Sequence, residues 1–341
     1  MLVLVTGAGG FLGGRIAELL LQRSYRVRVL VRSDCPRLAA LGAEVFQGDL
    51  ADVSSLDRAC DGAEAVIHCA ARSGVWGPLA EYVENNTMGT ARMLESARQQ
   101  KAGYFIYTSS PSVVHGGDDL KGIDESAPYT DDTAQPYAYS KMLAERLVLR
   151  ASHPAFKTLA IRPHLLWGPG DPHLLPRMIE RARSGKLRLF TGGPYMVDAT
   201  YIDNGAEAHI LALERLAAGD PVGGLSFFIG QDQPLDLTEL VNLLIQTAGL
   251  GPVKPSVNKN LGRHLGSILE TAYRLLGRKK EPPLTLFTAR QLSSSHWYCL
   301  DRAKTLLGYR PKVSLDEGLR RLAEYYKNRP AQDGRTDLGL S

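Results

Sequence analysis

Tyr137 and Lys141 stand four residues apart in PYAYSK, residues 136–141, and no other Tyr and Lys in the 341-residue chain share that spacing. The segment runs on as MLAERLVL, which has helical character, so the phenol and the ammonium fall on one helix face. Such a pair can protonate a carbonyl oxygen as it becomes an alkoxide. A phenol at its ordinary value of about 10 is a poor acid–base partner near neutral pH, and an adjacent ammonium or an oxidised nicotinamide favours phenolate. Lys141 can also reach nicotinamide ribose hydroxyls. Upstream, an apolar segment ends in Thr108, Ser109, Ser110 and Ser112. Hydroxyl residues are common in turns, yet one placed here can donate to a substrate carbonyl and hold the developing oxyanion.

A second signature opens the chain, where LVLV runs into TGAGGFLG with Gly7, Gly10 and Gly13 spaced GxxGxxG. Between a strand and a helix, the first glycine permits a tight turn and the second lets a pyrophosphate approach the backbone. The third lets the helix sit close to the sheet, with Phe11 and Leu12 beside it and the anion held at the helix N-terminus. The second strand ends in Val31, Arg32 and Ser33, where a NAD-selective site usually offers an acidic side chain to the ribose. Arg32 can instead meet a 2′-phosphate, so NADP(H) is the expected cofactor and NAD(H) the alternative. Asp49 and Leu50 after the third strand, Ala70 and Ala71 after the fourth and Pro163 after the sixth complete the expected cofactor set, with Tyr137 and Lys141.

The elements that must position these groups repeat at βαβ spacing: LVLVTG, VRVLVR, AEVFQGD, AVIHCAA, GYFIYTSS and TLAIRP alternate with helical stretches. That predicts an α/β fold, a doubly wound parallel Rossmann sheet. Beyond Pro163 the chain becomes turn-rich and then mostly helical, including 204–216 and 236–247. The expected division is a dinucleotide-binding domain over 1–165 and a smaller, mostly helical substrate lobe over 166–335. The two are partly interleaved if LSFFIG after Gly224 returns to the sheet.

With 40 basic and 36 acidic residues, a formal charge of +4 and no long charged block, nothing supports nucleic-acid binding. No apolar run approaches the roughly 20 residues a membrane span needs. The start carries no export signal, so the cytoplasm is the expected location. Cys35, Cys60, Cys69 and Cys299 are scattered, and neither a metal site nor a disulfide framework is expected.

Taken together, TGAGGFLG, GDLAD, HCAA, NTMGT, YTSSPSVV, PYAYSK, IRPHLLWGPGD and TYIDN resemble the extended short-chain dehydrogenase/reductase superfamily over nearly the whole chain. The segments DESAPY, GPGDPHLLPR and LGYRPKVSLDEGL resemble its 3β-hydroxysteroid dehydrogenase-like branch. The resemblance implies an NAD(P)-dependent oxidoreductase in which Ser110 joins Tyr137 and Lys141. It also gives Asn86 of NTMGT a structural or proton-relay role, beside the plainer reading of a helix-start hydrogen bond. GVWG and SSHWY are similar to members acting on 2-alkyl-3-oxoalkanoates in olefin biosynthesis, and other features to members acting on sterol-4α-carboxylates. Both substrates are 3-oxo or 3-hydroxy acids with carbon substitution at position 2. The implied reaction is reduction of a bulky 2-substituted 3-oxo acid by NADPH, with a steroid or sterol dehydrogenase, a nucleotide-sugar epimerase and a non-catalytic NADP sensor as rivals.

An anionic substrate needs a cation, and Arg72, in the loop after the fourth strand, lies where ligands collect in such folds. Trp76 of the same loop either lines an apolar pocket or simply packs. From Leu261 to Leu276 a helix with an apolar face and basic flanks is expected. It reads either as a lid over the pocket or as a peripheral contact with anionic lipid. A homodimer is expected.

Overall fold

In the computed structural model, which describes residues 1–116, 119–278 and 280–328, seven parallel strands form one sheet. They are β1 (Leu2–Thr6), β2 (Arg26–Val31), β3 (Glu44–Gln47), β4 (Ala65–His68), β5 (Tyr104–Thr108), β6 (Lys157–Pro163) and β7 (Ser226–Ile229), in the order β7-β6-β5-β4-β1-β2-β3. All five residues of β1 are buried, as expected for a central strand covered on both faces.

Alternation along the strands feeds two cores. Val3, Val5, Val29, Ile67, Ile106 and Ile161 point to one face, and Leu4, Leu30, Val66, Phe105, Tyr107 and Ala160 to the other. Helices Phe11–Gln22 and Ile202–Ala217 cover the first face, and Val53–Cys60, Gly89–Gln99 and Pro136–Arg150 the second. The sheet is the doubly wound Rossmann type, and its functional edge lies at the strand C-termini, where the chain leaves Thr6, His68, Thr108 and Pro163.

β7 is the LSFFIG segment, pairing in parallel with β6 from Ser226↔Ala160 to Ile229↔Pro163. The second half of the chain thus returns to the sheet after leaving it at Pro163. Helices Leu174–Arg183 and Ile202–Ala217 lie between the two strands, and Leu237–Gln246 and Lys259–Leu275 follow β7. The second half also contributes short strands the sequence pattern did not reveal. Met196–Val197, Leu235–Asp236 and His296–Tyr298 form a small sheet with Leu120–Ile123. At two to four residues they are too short to show an alternating pattern.

One polar pair sits between Pro136–Arg150 and the sheet. Arg162 of β6 is 1% exposed and Glu145 is fully buried. The guanidinium donates to both carboxylate oxygens, and the Tyr129 hydroxyl adds a bond to Oε1 at 2.7 Å. Removing one member of such a pair strands the other charge without water. Glu145→Ala is therefore expected to lower stability by about 3–5 kcal/mol, read as a fall in the urea midpoint at unchanged slope. A loss under about 1 kcal/mol would mean that water reaches Arg162.

Candidate active site

The first turn is built by backbone proximity. Gly7 has φ +69°, and a Cβ there would lie 2.7 Å from the backbone nitrogen of Ala70; one on Gly13 would lie 2.5 Å from the Gly7 carbonyl oxygen. Gly10 N–H donates to that same oxygen at 2.9 Å. The helix beginning at Phe11 has no side-chain cap and no acidic residue in its first turn, so its leading N–H groups and dipole suit an anion. Gly9 and Gly10 are exposed, and Leu12 is buried beneath them. These features fit a dinucleotide pyrophosphate.

The other residues expected at the cofactor lie along the sheet edge. Arg32 and Ser33 are exposed at the end of β2. Asp49 accepts from Ala51 N–H at 2.9 Å, and Leu50 packs where a Cβ on Gly89 would meet it. Ala70 N–H donates to Thr6 Oγ1 at 3.2 Å, Ala71 is exposed and Pro163 ends β6. The sequence reading missed a further cation. Arg37 pairs with Glu18, and its guanidinium lies 2.7 Å from where a Gly14 Cβ would stand.

Ser110 and Tyr137 come together at the ends of β5 and of helix Pro136–Arg150. Proline at the first helical position starts that helix and sets Tyr137 in its first turn. The Ser110 hydroxyl accepts from Ser112 N–H at 3.2 Å and Ser112 Oγ at 2.9 Å, and its polarity near the Tyr137 phenol favours the ionised form. Burial has the larger effect and raises the phenol above its ordinary value, with Tyr82 adding to the rise.

Lys141 is anchored to the end of β5. Its ammonium, 2% exposed, donates to the Thr108 carbonyl at 2.5 Å and sits 4.2 Å from the Tyr107 ring centre. Burial drives Lys141 down to about 7, against the opposing effects of Cys69 and Glu145.

Two buried histidines near this pair, His68 and His209, are neutral near neutral pH. Burial takes His68 down to about 3, helped by Lys141, and His209 down to about 4. The His68 ring lies 2.7 Å from Thr6 Oγ1 and 3.0 Å from Thr90 Oγ1, tying β1, β4 and the NTMGT segment together. His209 lies 2.9 Å from Thr108 Oγ1, whose hydroxyl also donates to Cys69 Sγ. Burial pushes that thiol up to about 11.

Asn86 sits in a π-helical turn, Val83–Met88, and is fully buried. Its Oδ1 accepts from Arg72 N–H at 2.6 Å, and its Nδ2 donates to Arg72 O at 3.1 Å and Ser140 Oγ at 3.0 Å. The amide thereby clamps the loop after β4 to the helix of Tyr137. It makes no helix-start bond. Arg72 pairs with Glu81 at 2.9 Å and lies over the Tyr82 ring. Tyr82 in turn donates to Trp76 O and Ser73 O, an anchor the sequence reading missed. Trp76 turns to the C-terminal half, donating to Arg278 O at 3.2 Å and meeting Tyr273 edge-on.

Beyond Pro163 an apolar cavity of about 90 Å³ is lined by Leu165, Trp167, Met178, Leu240, Leu244 and His296, among others. His296 meets His115, which ends the Ser110 turn, and lies 3.0 Å from His164. His296 thus links the cavity wall to the end of the Ser110 turn. Among the described residues, no group of three His, Cys, Asp or Glu side chains is arranged to hold a metal.

Lys141 yields a pH prediction. Folding holds its ammonium below the ordinary value near 10.5, at about 7, so the unfolded chain binds the extra proton between those values. Stability therefore rises with pH across that window. Lys141→Met lacks this titration, so its stability relative to the parent should be greatest at pH 6 and shrink as pH approaches 10. Urea melts at both ends test it; a constant difference would show that Lys141 titrates normally in the fold.

A model of the 3-beta hydroxysteroid dehydrogenase/isomerase family matches residues 4–258. 2-Alkyl-3-oxoalkanoate reductase from Stenotrophomonas maltophilia is 43% identical over 325 residues, 94% of this chain and 98% of that protein. Sterol-4-alpha-carboxylate 3-dehydrogenase, decarboxylating, from Mus musculus is 33% identical, covering 94% and 90%. UDP-glucuronic acid 4-epimerase from Bacillus cereus, solved with UDP-glucuronic acid and NAD, is similar in fold, with a TM-score of 0.74 and 24% identity over 96% and 99% of the two chains.

Proposed function

The chain belongs to the 3-beta hydroxysteroid dehydrogenase/isomerase family and is an NAD(P)-dependent oxidoreductase; we propose that it reduces the 3-oxo group of a bulky 2-substituted 3-oxo acid, with NADPH as preferred reductant. The observation that carries the chemistry is the placing of Tyr137 in the first turn of its helix, one helical turn from buried Lys141, with the Ser110 hydroxyl favouring the ionised phenol.

When bound, the dinucleotide supplies the two electrons and one hydrogen that a carbonyl reduction consumes. The chain supplies the second hydrogen, as a proton. With His68 and His209 held neutral, the Tyr137 phenol is the donor for the carbonyl oxygen. Burial keeps the phenol protonated until that oxygen becomes basic. Ser110 donates a hydrogen bond to the same oxygen and stabilises its growing charge. Lys141, fixed on the Thr108 carbonyl, places a cation beneath the reacting groups, and Asn86 acts as a positioning residue by holding the Arg72 loop to Ser140.

The substrate class rests on the two relatives' names, which share a 3-oxygenated acid carrying carbon at position 2. The apolar cavity beyond Pro163 suits a hydrocarbon branch. Arg72 is the candidate for the carboxylate. Its pair with Glu81 is exposed on both sides, and such pairs contribute only about 0–1 kcal/mol, so an incoming carboxylate can displace Glu81. Exposed Arg32 is the candidate for a 2′-phosphate. A sterol acid is the second reading, favoured by the 33% identity to the mouse dehydrogenase.

Initial rates with NADPH and NADH, on a long-chain 2-alkyl-3-oxo acid and on a 3-oxosteroid, test the proposal. The acid should turn over faster with NADPH. Tyr137→Phe should lower kcat about 10²–10⁴-fold with NADPH binding unchanged, and Arg32→Ala should raise the KM for NADPH but not for NADH. Turnover of the steroid alone would transfer the assignment to the sterol reading, and a fully active Tyr137→Phe protein would remove the proton-donor role.

A further inference from the structure

The helix Lys259–Leu275 packs the reverse of what its hydropathy suggests. Its buried positions are glycines. A Cβ on Gly262 would collide with the Phe190 ring, and one on Gly266 would lie 2.9 Å from the Thr285 carbonyl oxygen. Its large apolar residues face outward: Leu261 is 66% exposed, Leu265 48%, Ile268 60%, Leu275 83% and the following Leu276 68%. The spacing i, i+4, i+7, i+14 and i+15 makes them one stripe. They are five of the ten large exposed hydrophobic residues among those described, so this is a patch and not scatter.

The rim is basic. Lys259 opens the helix, and Arg278 and Lys280 follow its end, all exposed. The helix's one carboxylate, Glu270, is turned inward, accepting from Leu286 N–H at 2.9 Å and pairing with Arg274.

We propose that this face docks on an anionic lipid surface, with the helix lying in the plane of the interface. Charge complementarity selects that occupant: a second copy meeting the face about a two-fold axis would bring the basic rim against itself, whereas anionic headgroups neutralise it and acyl chains receive the leucines. No helix among the described residues is long and apolar enough to cross a membrane, so the contact is peripheral.

The docked face is wired to the site. Trp76 of the loop after β4 donates to Arg278 O and meets Tyr273 edge-on, while Arg274 lies over the Trp76 ring and donates to Ala134 O at 3.3 Å. Ala134 stands three residues before Tyr137. Docking therefore brings the loop and the start of the Tyr137 helix close to the bilayer, where a substrate with a hydrocarbon tail can be drawn from lipid. This delivery step rests on the proposed substrate class; the docking does not.

Flotation of the full chain with phosphatidylglycerol-containing and with pure phosphatidylcholine vesicles tests the docking without any substrate. Binding is expected to the anionic vesicles alone, to weaken with salt, and to fall about tenfold or more in Leu261→Ser/Leu265→Ser/Ile268→Ser. These positions lie outside the site, so a native melting curve and an unchanged rate of NADPH oxidation on a short-chain soluble 3-oxo acid check the variant's integrity. No anionic binding, equal binding to both vesicles, or binding that survives the triple substitution would overturn the proposal. So would a lower oligomeric mass of the variant in lipid-free solution, which would make the face an interface between copies.

Discussion

A cation held almost free of water at the end of β5 is the constraint around which this molecule is arranged. Stripping solvent from an ammonium favours its neutral form, and Lys141 responds by falling to about 7. Four groups oppose that loss: Cys69, Glu145 one helical turn further on, the Thr108 carbonyl and the face of Tyr107. Glu145 cannot be buried alone either, so Arg162 and Tyr129 close around it. Arg162 in turn lies 5.0 Å from the ring centre of Phe228 on β7. Electrostatic support for one lysine thus runs from the site through β6 to a strand that the chain supplies some 65 residues after leaving the sheet.

The second constraint is steric. Gly7 and Gly13 allow the first turn to touch both the end of β4 and the start of its own helix, and any side chain at either position would push these apart. Because β4 lies against that turn, the loop leaving β4 has its starting point fixed. Its far side is fixed by Asn86, whose amide takes up both backbone groups of Arg72. A π-helical turn widens the helix by one residue and is a common means of re-aiming a side chain. Here it turns Asn86 inward, toward Arg72 and Ser140 together.

The sequence made the sheet legible because buried parallel strands leave continuous apolar runs and the glycine turn leaves a spacing. It also gave the helix face shared by Tyr137 and Lys141, since a four-residue spacing is a statement about geometry. It did not give the direction of the Lys141 ammonium. Two side chains on one face still choose among acceptors, and the Thr108 carbonyl comes from a strand 33 residues away in sequence. Arg72 and Trp76 were visible as a cation and an aromatic in a ligand-facing loop. Their partners Glu81, Tyr82, Tyr273 and Arg278 are set by how a surface loop meets a distant helix, which no local pattern encodes. The approach of the Arg37 guanidinium to Gly14 is likewise set by packing and not by a local pattern.

The helix at 259–275 separates what periodicity can and cannot say. A stripe of leucines shows that one face is apolar, and burial is the usual inference because most such faces pack against a core. The two glycines at 262 and 266 carry the contrary signal. A small-residue face admits a ring or a backbone at contact distance, so it competes with the leucine face for the inward position, and here Phe190 and Thr285 occupy it. Packing against glycines gives up the area that Leu261, Leu265 and Ile268 would bury, at roughly 1.5–3 kcal/mol for each fully buried side chain. A chain that leaves this much apolar surface in water holds in reserve the driving force for association with something apolar, and the cations around it restrict the sign of the partner's charge.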